Sequence, residues 1–207
     1  MINRRSFIAA FGTTVAFAPQ VAMAHRSSEP FSVDPAYLPQ QVEFPSVYAA
    51  GTVIVDTAAR FLYLVGESGS ARRYGIGVGK AGLAWSGTAQ VGRKAKWPSW
   101  TPTDNMIRRA PQKYARFADG VPGGPNNPLG SRALYLYRQG RDTYYRIHGT
   151  TEPWTIGKAV SNGCIRMINE HVEDLYERVP LGATVVVFQG NELVSKNGSD
   201  SRIGTAE

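Results

Sequence analysis

Cys164 is the only cysteine among the 207 residues of the chain, and its position relative to the histidines favours a reactive thiol. Cysteine attacks as its thiolate, but a free thiol with a pKa of about 8.5 is mostly protonated at neutral pH. A nearby imidazole can take the proton and hold the resulting ion pair. His25 lies near the N-terminus and His171 at the solvated edge of a predicted helix, whereas His148 follows a predicted strand and precedes Gly149. We therefore predict that His148 is the base.

The residues next to Cys164 also suit a catalytic loop. Gly163 permits a tight turn and the close approach of a substrate carbonyl. The backbone amides of Asn162, Gly163 and Cys164 can point at a developing oxyanion, where one donor contributes roughly 3 kcal/mol. Arg166 is a fixed cation that can bind a substrate carboxylate. A structural alternative stays open, in which Cys164 is a small buried residue and Arg166 forms a surface ion pair.

Two other kinds of site are disfavoured by the sequence. Residues 75–81 are glycine-rich before a lysine, but a P-loop needs Ser or Thr at Ala81 and a helix after it, so a strand and a turn fit better. One cysteine and three scattered histidines do not supply the ligand spacing of a metal site. We predict no metal and no organic cofactor.

The elements that must position these residues are mostly strands. Runs rich in β-branched and aromatic residues, separated by short turns, indicate a mainly antiparallel sheet. The predicted strands are 52–56, 61–65, 72–78, 133–137, 144–147 and 184–188. One helix is predicted from Asn169, as its cap, to Val179. Its buried face is predicted at Val172, Leu175, Tyr176 and Val179.

Residues 90–131 are dense in Trp, Pro and Gly and predict a long ordered loop region with one short helix at 104–109. Long loops in a compact domain often form lids or binding walls. For the tryptophans in this region, a structural anchoring role competes with a binding role. We expect residues 97–130, together with Tyr145 and Trp154, to be walls of a cleft.

The N-terminus has the pattern of an export signal. Arg4 and Arg5 precede an apolar run at 7–17, and small residues at Ala22 and Ala24 predict cleavage after residue 24. The run is too short to span a membrane, which needs roughly 20 apolar residues. The paired arginines favour the twin-arginine route. We therefore predict a signal peptide at 1–24 and no stable membrane insertion of the mature chain.

Both ends of the mature chain are predicted to lie outside the main domain. Residues 25–48 are rich in Ser and Pro and predict an extended arm or linker, and residues 191–207 predict a loose polar tail. The formal net charge of +7 is spread along the chain rather than clustered. This spread disfavours a nucleic-acid partner and fits an anionic polymer such as the cell wall.

The motif around the two candidate residues resembles that of a known family. His148-Gly149-Thr150, then Pro153 and Ile156-Gly157, then Ser161-x-Gly163-Cys164-Ile165-Arg166-Met167 are similar to the signature of the L,D-transpeptidases, which have a YkuD-type catalytic domain. The resemblance covers about residues 51–188, and we assign residues 49–190 to that domain. It implies a mainly β, sandwich-like fold with one main helix, the cysteine on a nearby loop, and the long Trp/Pro/Gly-rich loops around it.

The resemblance also implies roles for individual residues. Cys164 is expected to be the nucleophile and His148 the proton acceptor and donor, with the carbonyl of Gly149 orienting the imidazole. Ser161 is expected at the substrate site. Many members have histidine directly before the Gly-Cys pair, whereas this chain has Asn162, which cannot titrate. His148 is then the only plausible base.

The activity that the resemblance implies is acyl transfer on peptidoglycan stem peptides. The cysteine of such enzymes attacks the bond between the L-centre of diaminopimelate at position three and D-alanine at position four. D-alanine leaves, a thioester forms, and an amine from another stem or from a protein resolves it. An outer-membrane protein is one such acceptor. Arg166 resembles the Gram-negative branch, which implies a periplasmic, wall-associated enzyme.

Two alternative functions stay open. Water can resolve the same thioester, which makes the protein an L,D-carboxypeptidase. A non-catalytic peptidoglycan-binding module can keep the same fold without using the thiol. A serine D,D-transpeptidase is disfavoured, because no Ser-x-x-Lys stands near a matching Ser-Asp-Asn or Lys-Thr-Gly.

Overall fold

The computed structural model describes residues 31–189, except 82 and 84. The predicted signal peptide at 1–24 and tail at 191–207 lie outside the described residues. The strands of the described part are β1 (Gln40–Glu43), β2 (Val53–Asp56), β3 (Phe61–Val65), β4 (Ser70–Gly75), β5 (Val78–Gly79), β6 (Gly87–Lys96), β7 (Arg132–Arg138), β8 (Arg141–His148), β9 (Ala159–Ser161), β10 (Ile165–Arg166) and β11 (Thr184–Phe188). The helices are α1 (Asp104–Arg109), α2 (Pro111–Tyr114) and α3 (Asn169–Arg178), with 3-10 turns at Pro35–Tyr37, Ala115–Phe117 and Pro153–Thr155.

Nine of the described strands form one sheet, in the order β1-β4-β3-β2-β11-β6-β7-β8-β10, and β5 pairs with β9 beside it. Most neighbours in the large sheet are antiparallel; β11 with β2 and β10 with β8 are parallel. The prediction of a mainly β fold is confirmed. The halves of the predicted sandwich belong, however, to one continuous sheet.

The main hydrophobic core lies on the concave face of this curved sheet. One cluster of buried side chains contains Tyr74 from β4, near one end of the sheet, and Ile165 from β10 at the other. The sheet must therefore curve around that cluster. From α3, Val172 and Leu175 are fully buried in it, on the face that helical spacing predicts. Burying each such side chain contributes about 1.5–3 kcal/mol. Within the described part of the chain, no helix is long and apolar enough to span a membrane.

The predicted arm is not separate from the domain where the structure describes it. Residues 40–43 add the edge strand β1 to the sheet, in register with β4. Phe44, directly after it, is buried and stacks on Tyr63 with a centroid distance of 4.5 Å. The prolines around this strand mark its ends rather than interrupt it, and an edge strand tolerates them.

Two further boundaries differ from the predicted ones. The predicted strand 72–78 is broken after Gly75, because the chain turns there to pair β5 with β9. The predicted loop region 90–131 begins later, since β6 continues to Lys96 and pairs with β7 over that length. Isolated charged and small residues in β6 hid its alternating pattern, in which Ala89 and Val91 face the core.

Candidate active site

The parallel pairing of β10 with β8 brings the predicted nucleophile and base together. Ile165 lies beside Ile147, and Arg166 lies beside His148. Both isoleucines are buried in the main core. Because side chains alternate along a strand, His148, Arg166 and the preceding Cys164 project from the opposite face of the sheet.

His148 is held as a neutral imidazole whose Nδ1 is engaged by a backbone carbonyl. Its ring is buried, with 4% of the residue exposed, and Nδ1 lies 2.6 Å from the carbonyl oxygen of Gly149. A carbonyl only accepts, so Nδ1 carries the proton and Nε2 is left as the base. Burial first, and then the Arg166 guanidinium, lowers the pKa of His148 to about 3, against the opposing effect of the Gly149 carbonyl. The hydrogen bond is the one that the family resemblance implies.

Burial disfavours the charged form of the Cys164 thiol. The residue is partly exposed, and its Sγ lies 3.8 Å from the carbonyl oxygen of Tyr144. The atoms packed around the sulfur desolvate it and raise the pKa of the thiol, while the Arg146 guanidinium and backbone act in the opposite direction. Burial thus disfavours both charges of a thiolate–imidazolium pair, and Arg146 and Arg166 also disfavour the imidazolium.

The loop that carries Cys164 is braced by Ser161. The Ser161 Oγ donates to the carbonyl of Cys164 at 2.6 Å and accepts from the Gly163 amide at 3.1 Å. Ser161 thus positions the loop; it also lines a cavity together with His148 and Cys164, and its expected role at the substrate site stays a prediction. The Gly163 amide was expected to be an oxyanion donor, but it is already engaged. The Cys164 amide, by contrast, has no acceptor among the described residues.

The start of α3 supports the site in a way that the sequence did not indicate. Ile168, rather than Asn169, is the N-cap, and it makes no side-chain capping bond. Asn169 Oδ1 instead accepts from the amides of Ser131, at 3.1 Å, and Thr150, at 3.2 Å, which fixes the turn after the base. His171 is also buried rather than solvated, with 8% of the residue exposed, and burial lowers its pKa.

Among the cavities that the described residues form, three meet at Cys164. The wall cavity, of about 320 Å³, is lined by His148, Arg166 and Asn162. The groove, of about 780 Å³, is lined by Tyr145 and Asn162. The sheet pocket, of about 390 Å³, lies over Arg146. Residues from 97–130 line all three, as predicted for that region.

The remaining predicted residues differ in how closely they approach the nucleophile. Arg166 donates to the Glu152 carboxylate at 2.7 Å, so part of its charge is already paired. Tyr145 stacks on Trp85, with ring centroids 5.6 Å apart, and forms one side of the groove. Trp154 is 51% exposed and lines none of the three cavities, so the structure does not bring it to the site.

Comparison with known proteins identifies the domain. Residues 50–187 match the family described as the L,D-transpeptidase catalytic domain, YkuD. Over 155 residues the chain is 35% identical to the probable L,D-transpeptidase ErfK/SrfK of Escherichia coli K12, covering 73% of this chain and 48% of that protein. Over 140 residues it is 37% identical to a putative L,D-transpeptidase encoded in the ATP synthase subunits region of Fuscovulum blasticum, covering 66% and 68%. The chain spans about half the length of the E. coli relatives it matches.

Solved structures give the same fold. A Brucella melitensis protein, described as a probable carnitine operon oxidoreductase, is 57% identical with a TM-score of 0.52, covering 75% of this chain and 96% of that one. The Ldtfm–avibactam carbamoyl enzyme is 18% identical with a TM-score of 0.51, covering 69% and 50%. The match to the catalytic domain and the identities to its relatives together show that this chain belongs to the L,D-transpeptidase family.

Proposed function

We propose that this chain is an L,D-transpeptidase that acts on peptidoglycan stem peptides through a cysteine thioester. The observation that carries the proposal is the placement of Cys164 and His148 on one face of the sheet, at one cavity. The bond from Nδ1 to the Gly149 carbonyl leaves Nε2 free to accept a proton. A thiol beside an oriented imidazole is the arrangement that nucleophilic acyl transfer requires.

The first half of the reaction forms the acyl-enzyme. The Cys164 sulfur attacks the carbonyl carbon between diaminopimelate and D-alanine, and its proton passes to Nε2 of His148 as the bond forms. The same proton then passes to the amine of D-alanine, which leaves, and the diaminopimelate carbonyl remains as a thioester. Because burial disfavours the charged form of both groups, we infer that the transfer accompanies the attack rather than preceding it.

The charges around the site favour the transition state over the resting state. Negative charge develops first on sulfur and then on the carbonyl oxygen, while the imidazole becomes positive. The free Cys164 amide is the best-placed donor for the oxyanion. Arg146 and Arg166 stabilise the negative charges but destabilise the His148 imidazolium. The imidazolium therefore gives its proton to the leaving amine more easily.

The second half of the reaction needs an acceptor amine, which is expected to reach Cys164 through a cavity that the donor does not fill. An amine of another stem yields a 3→3 crosslink, and an amine of a protein, such as an outer-membrane protein, attaches that protein to the wall. Both acceptors place the enzyme in the periplasm, which agrees with the export signal predicted from the sequence. Water as acceptor makes it an L,D-carboxypeptidase.

The Brucella melitensis protein is named as an oxidoreductase, which is a different activity. A dinucleotide fingerprint leads from a strand into a helix N-terminus. In this chain the glycine-rich residues 75–79 lead from β4 into the short strand β5. That segment gives no support to dinucleotide chemistry, whereas the cysteine and histidine support acyl transfer.

The proposal is tested by incubating the purified protein with a disaccharide-tetrapeptide. Wild type is expected to release D-alanine and to form dimers with 3→3 links, resolved by chromatography and mass spectrometry. An adduct of one acylated peptide on Cys164 is expected in quenched samples. Tripeptide without dimers supports the carboxypeptidase, and absence of both products supports the binding module.

Matched variants separate chemistry from folding. Cys164→Ala and His148→Asn are expected to reduce D-alanine release by at least about 1000-fold, as loss of a catalytic pair member does. His171→Asn replaces another buried histidine, outside the cavities, and is expected to keep activity within about threefold of wild type. Activity that survives Cys164→Ala would contradict the proposal.

A further inference from the structure

A row of side chains crosses the sheet and ends at the nucleophile. Arg93 on β6 pairs with Tyr135 on β7, and Tyr135 pairs with Arg146 on β8. Cys164 comes next, because the residue after it pairs with the residue after Arg146. Residues in register on neighbouring strands project from the same face. The four side chains therefore share the face opposite the main core.

The sheet pocket lies over this row. It has a volume of about 390 Å³, and Cys164 forms one end of it. Its aromatic lining comes from Trp100, Tyr135 and Tyr144, and Ser99 contributes a hydroxyl beside them. All of its lining residues are described, and none of them is Asp or Glu. The pocket is thus amphipathic, with positive charge and no negative charge in its lining.

Its two guanidiniums are oriented by one ring. Arg93 Cζ lies 3.5 Å from the centroid of the Tyr135 ring, and Arg146 Cζ lies 4.7 Å from it. A guanidinium stacked on an aromatic face keeps the N–H donors at its edge available. One N–H group of Arg146 donates to the Asp142 carboxylate at 3.1 Å, and Asp142 does not line the pocket. Arg93 has no carboxylate partner among the described residues.

We propose that the sheet pocket is a carboxylate subsite, in which Arg93 and Arg146 bind a free carboxylate of the peptide that Cys164 attacks. This inference rests on the proposed function for the identity of the peptide. Two carboxylates flank the bond that breaks, one on D-alanine and one on the D-centre of diaminopimelate. Either can enter a pocket that begins at the sulfur, and both are chemically suited to a pair of guanidiniums.

Equilibrium binding tests the subsite without relying on turnover. The protein carries Cys164→Ala, and the probe is a tetrapeptide ending in diaminopimelate and D-alanine, titrated by calorimetry. Two further probes carry a carboxamide in place of one carboxylate, either on D-alanine or on diaminopimelate. In the Cys164→Ala background, Arg93→Gln is compared with Arg138→Gln, which removes another exposed arginine, on β7 and outside the three cavities.

Arg93→Gln is expected to raise the Kd of the free peptide about tenfold, the loss of one charge-assisted hydrogen bond. For the probe whose amide replaces the bound carboxylate, the same variant is expected to have no effect, which identifies the carboxylate. Arg138→Gln is expected to change no Kd by more than about twofold. An equal loss for all three probes, or no loss for any, overturns the subsite.

Turnover by the protein with Cys164 intact keeps this test distinct from that of the proposed function. Carboxylate-dependent binding without D-alanine release supports the subsite and rejects the transpeptidase. D-alanine release, together with a peptide Kd that Arg93→Gln does not change, supports the transpeptidase and rejects the subsite.

Discussion

The site has two regions, which we call the floor and the wall. The floor consists of β8, β10 and residues 161–164 and is fixed by strand pairing. The wall consists of residues 97–130 and is not part of the sheet. On the floor, Met167 donates to the carbonyl of His148 at 2.8 Å, and the isoleucines beneath are fully or almost fully buried. Across residues 104–117 of the wall, all of which are described, no residue is buried. The wall is held by an isolated bridge between Trp100 and Val121 and by the Asn127 amide, which donates to two carbonyls of the wall itself.

This difference separates the two tasks that the proposed acyl transfer requires. Chemistry needs atoms placed to a fraction of an ångström, and the floor supplies that through backbone pairing that few side chains can alter. The binding of the proposed donor and acceptor peptides tolerates more movement, and the wall is a loop region of the kind that often carries binding residues. A side-chain hydrogen bond joins the loop before Cys164 to the wall, from Asn162 to the Tyr114 hydroxyl at 2.7 Å, and it is exposed. Changes on the floor should therefore cost more than matched changes on the wall.

The same substitution in both regions gives the largest expected contrast. Gly163 on the floor has φ +127, and a Cβ there would lie 2.7 Å from the Leu83 carbonyl oxygen and 2.8 Å from the Tyr145 ring. Gly124 on the wall also has positive φ, at +151, but a Cβ there would meet nothing within 4 Å. Gly163→Ala is expected to lower the free energy of unfolding by about 3 kcal/mol and activity about 100-fold.

Gly124→Ala is expected to cost about 1 kcal/mol, from backbone strain alone, and to leave kcat within about twofold. Urea denaturation and D-alanine release measure the two effects. Equal losses for both variants would show that the wall is as rigid as the floor.

The titration of His148 gives a smaller effect that belongs to the floor. Its pKa is about 3 in the folded protein, below the value of about 6.5 expected when the chain is unfolded. As the pH falls, the unfolded state binds the proton first, so this stabilisation is complete above about pH 6.5 and is lost progressively toward pH 3. Between pH 7.5 and 5, His148 alone is expected to remove about 2 kcal/mol of stability.

Denaturant titrations of wild type and His148→Asn at pH 7.5 and 5 measure this contribution. The variant is expected to lose about 2 kcal/mol less than wild type over that interval. His171 titrates in both proteins and cancels in the comparison. An identical pH dependence would mean that the folded imidazole titrates as it does in the unfolded chain, so that burial does not lower its pKa.

The floor was easier to predict from the sequence than the wall or the hydrogen bonds that hold the catalytic loop and the turn after His148. The strands on both sides of His148 and the helix face with Val172 follow from local alternation and periodicity, which the sequence displays directly. The role of Asn169 does not, because an asparagine at a helix start normally signals a cap, and its two amide partners come from distant segments. The engaged amide of Gly163 likewise depends on a side-chain rotamer that no motif specifies.

The smallest expected effect tests whether the wall touches the chemistry at all. Tyr114→Phe removes the hydroxyl that accepts from the Asn162 amide and leaves the ring against Trp100, with centroids 6.3 Å apart. The bond is exposed, so its loss is expected to cost about 0.5 kcal/mol, to raise KM about twofold and to leave kcat unchanged. Tyr48→Phe, outside the cavities, controls for loss of a tyrosine hydroxyl. If kcat falls with Tyr114→Phe but not with Tyr48→Phe, then Asn162 couples the position of the wall to the adjoining Gly163–Cys164 segment. The wall would then determine the geometry of attack as well as the shape of the cleft.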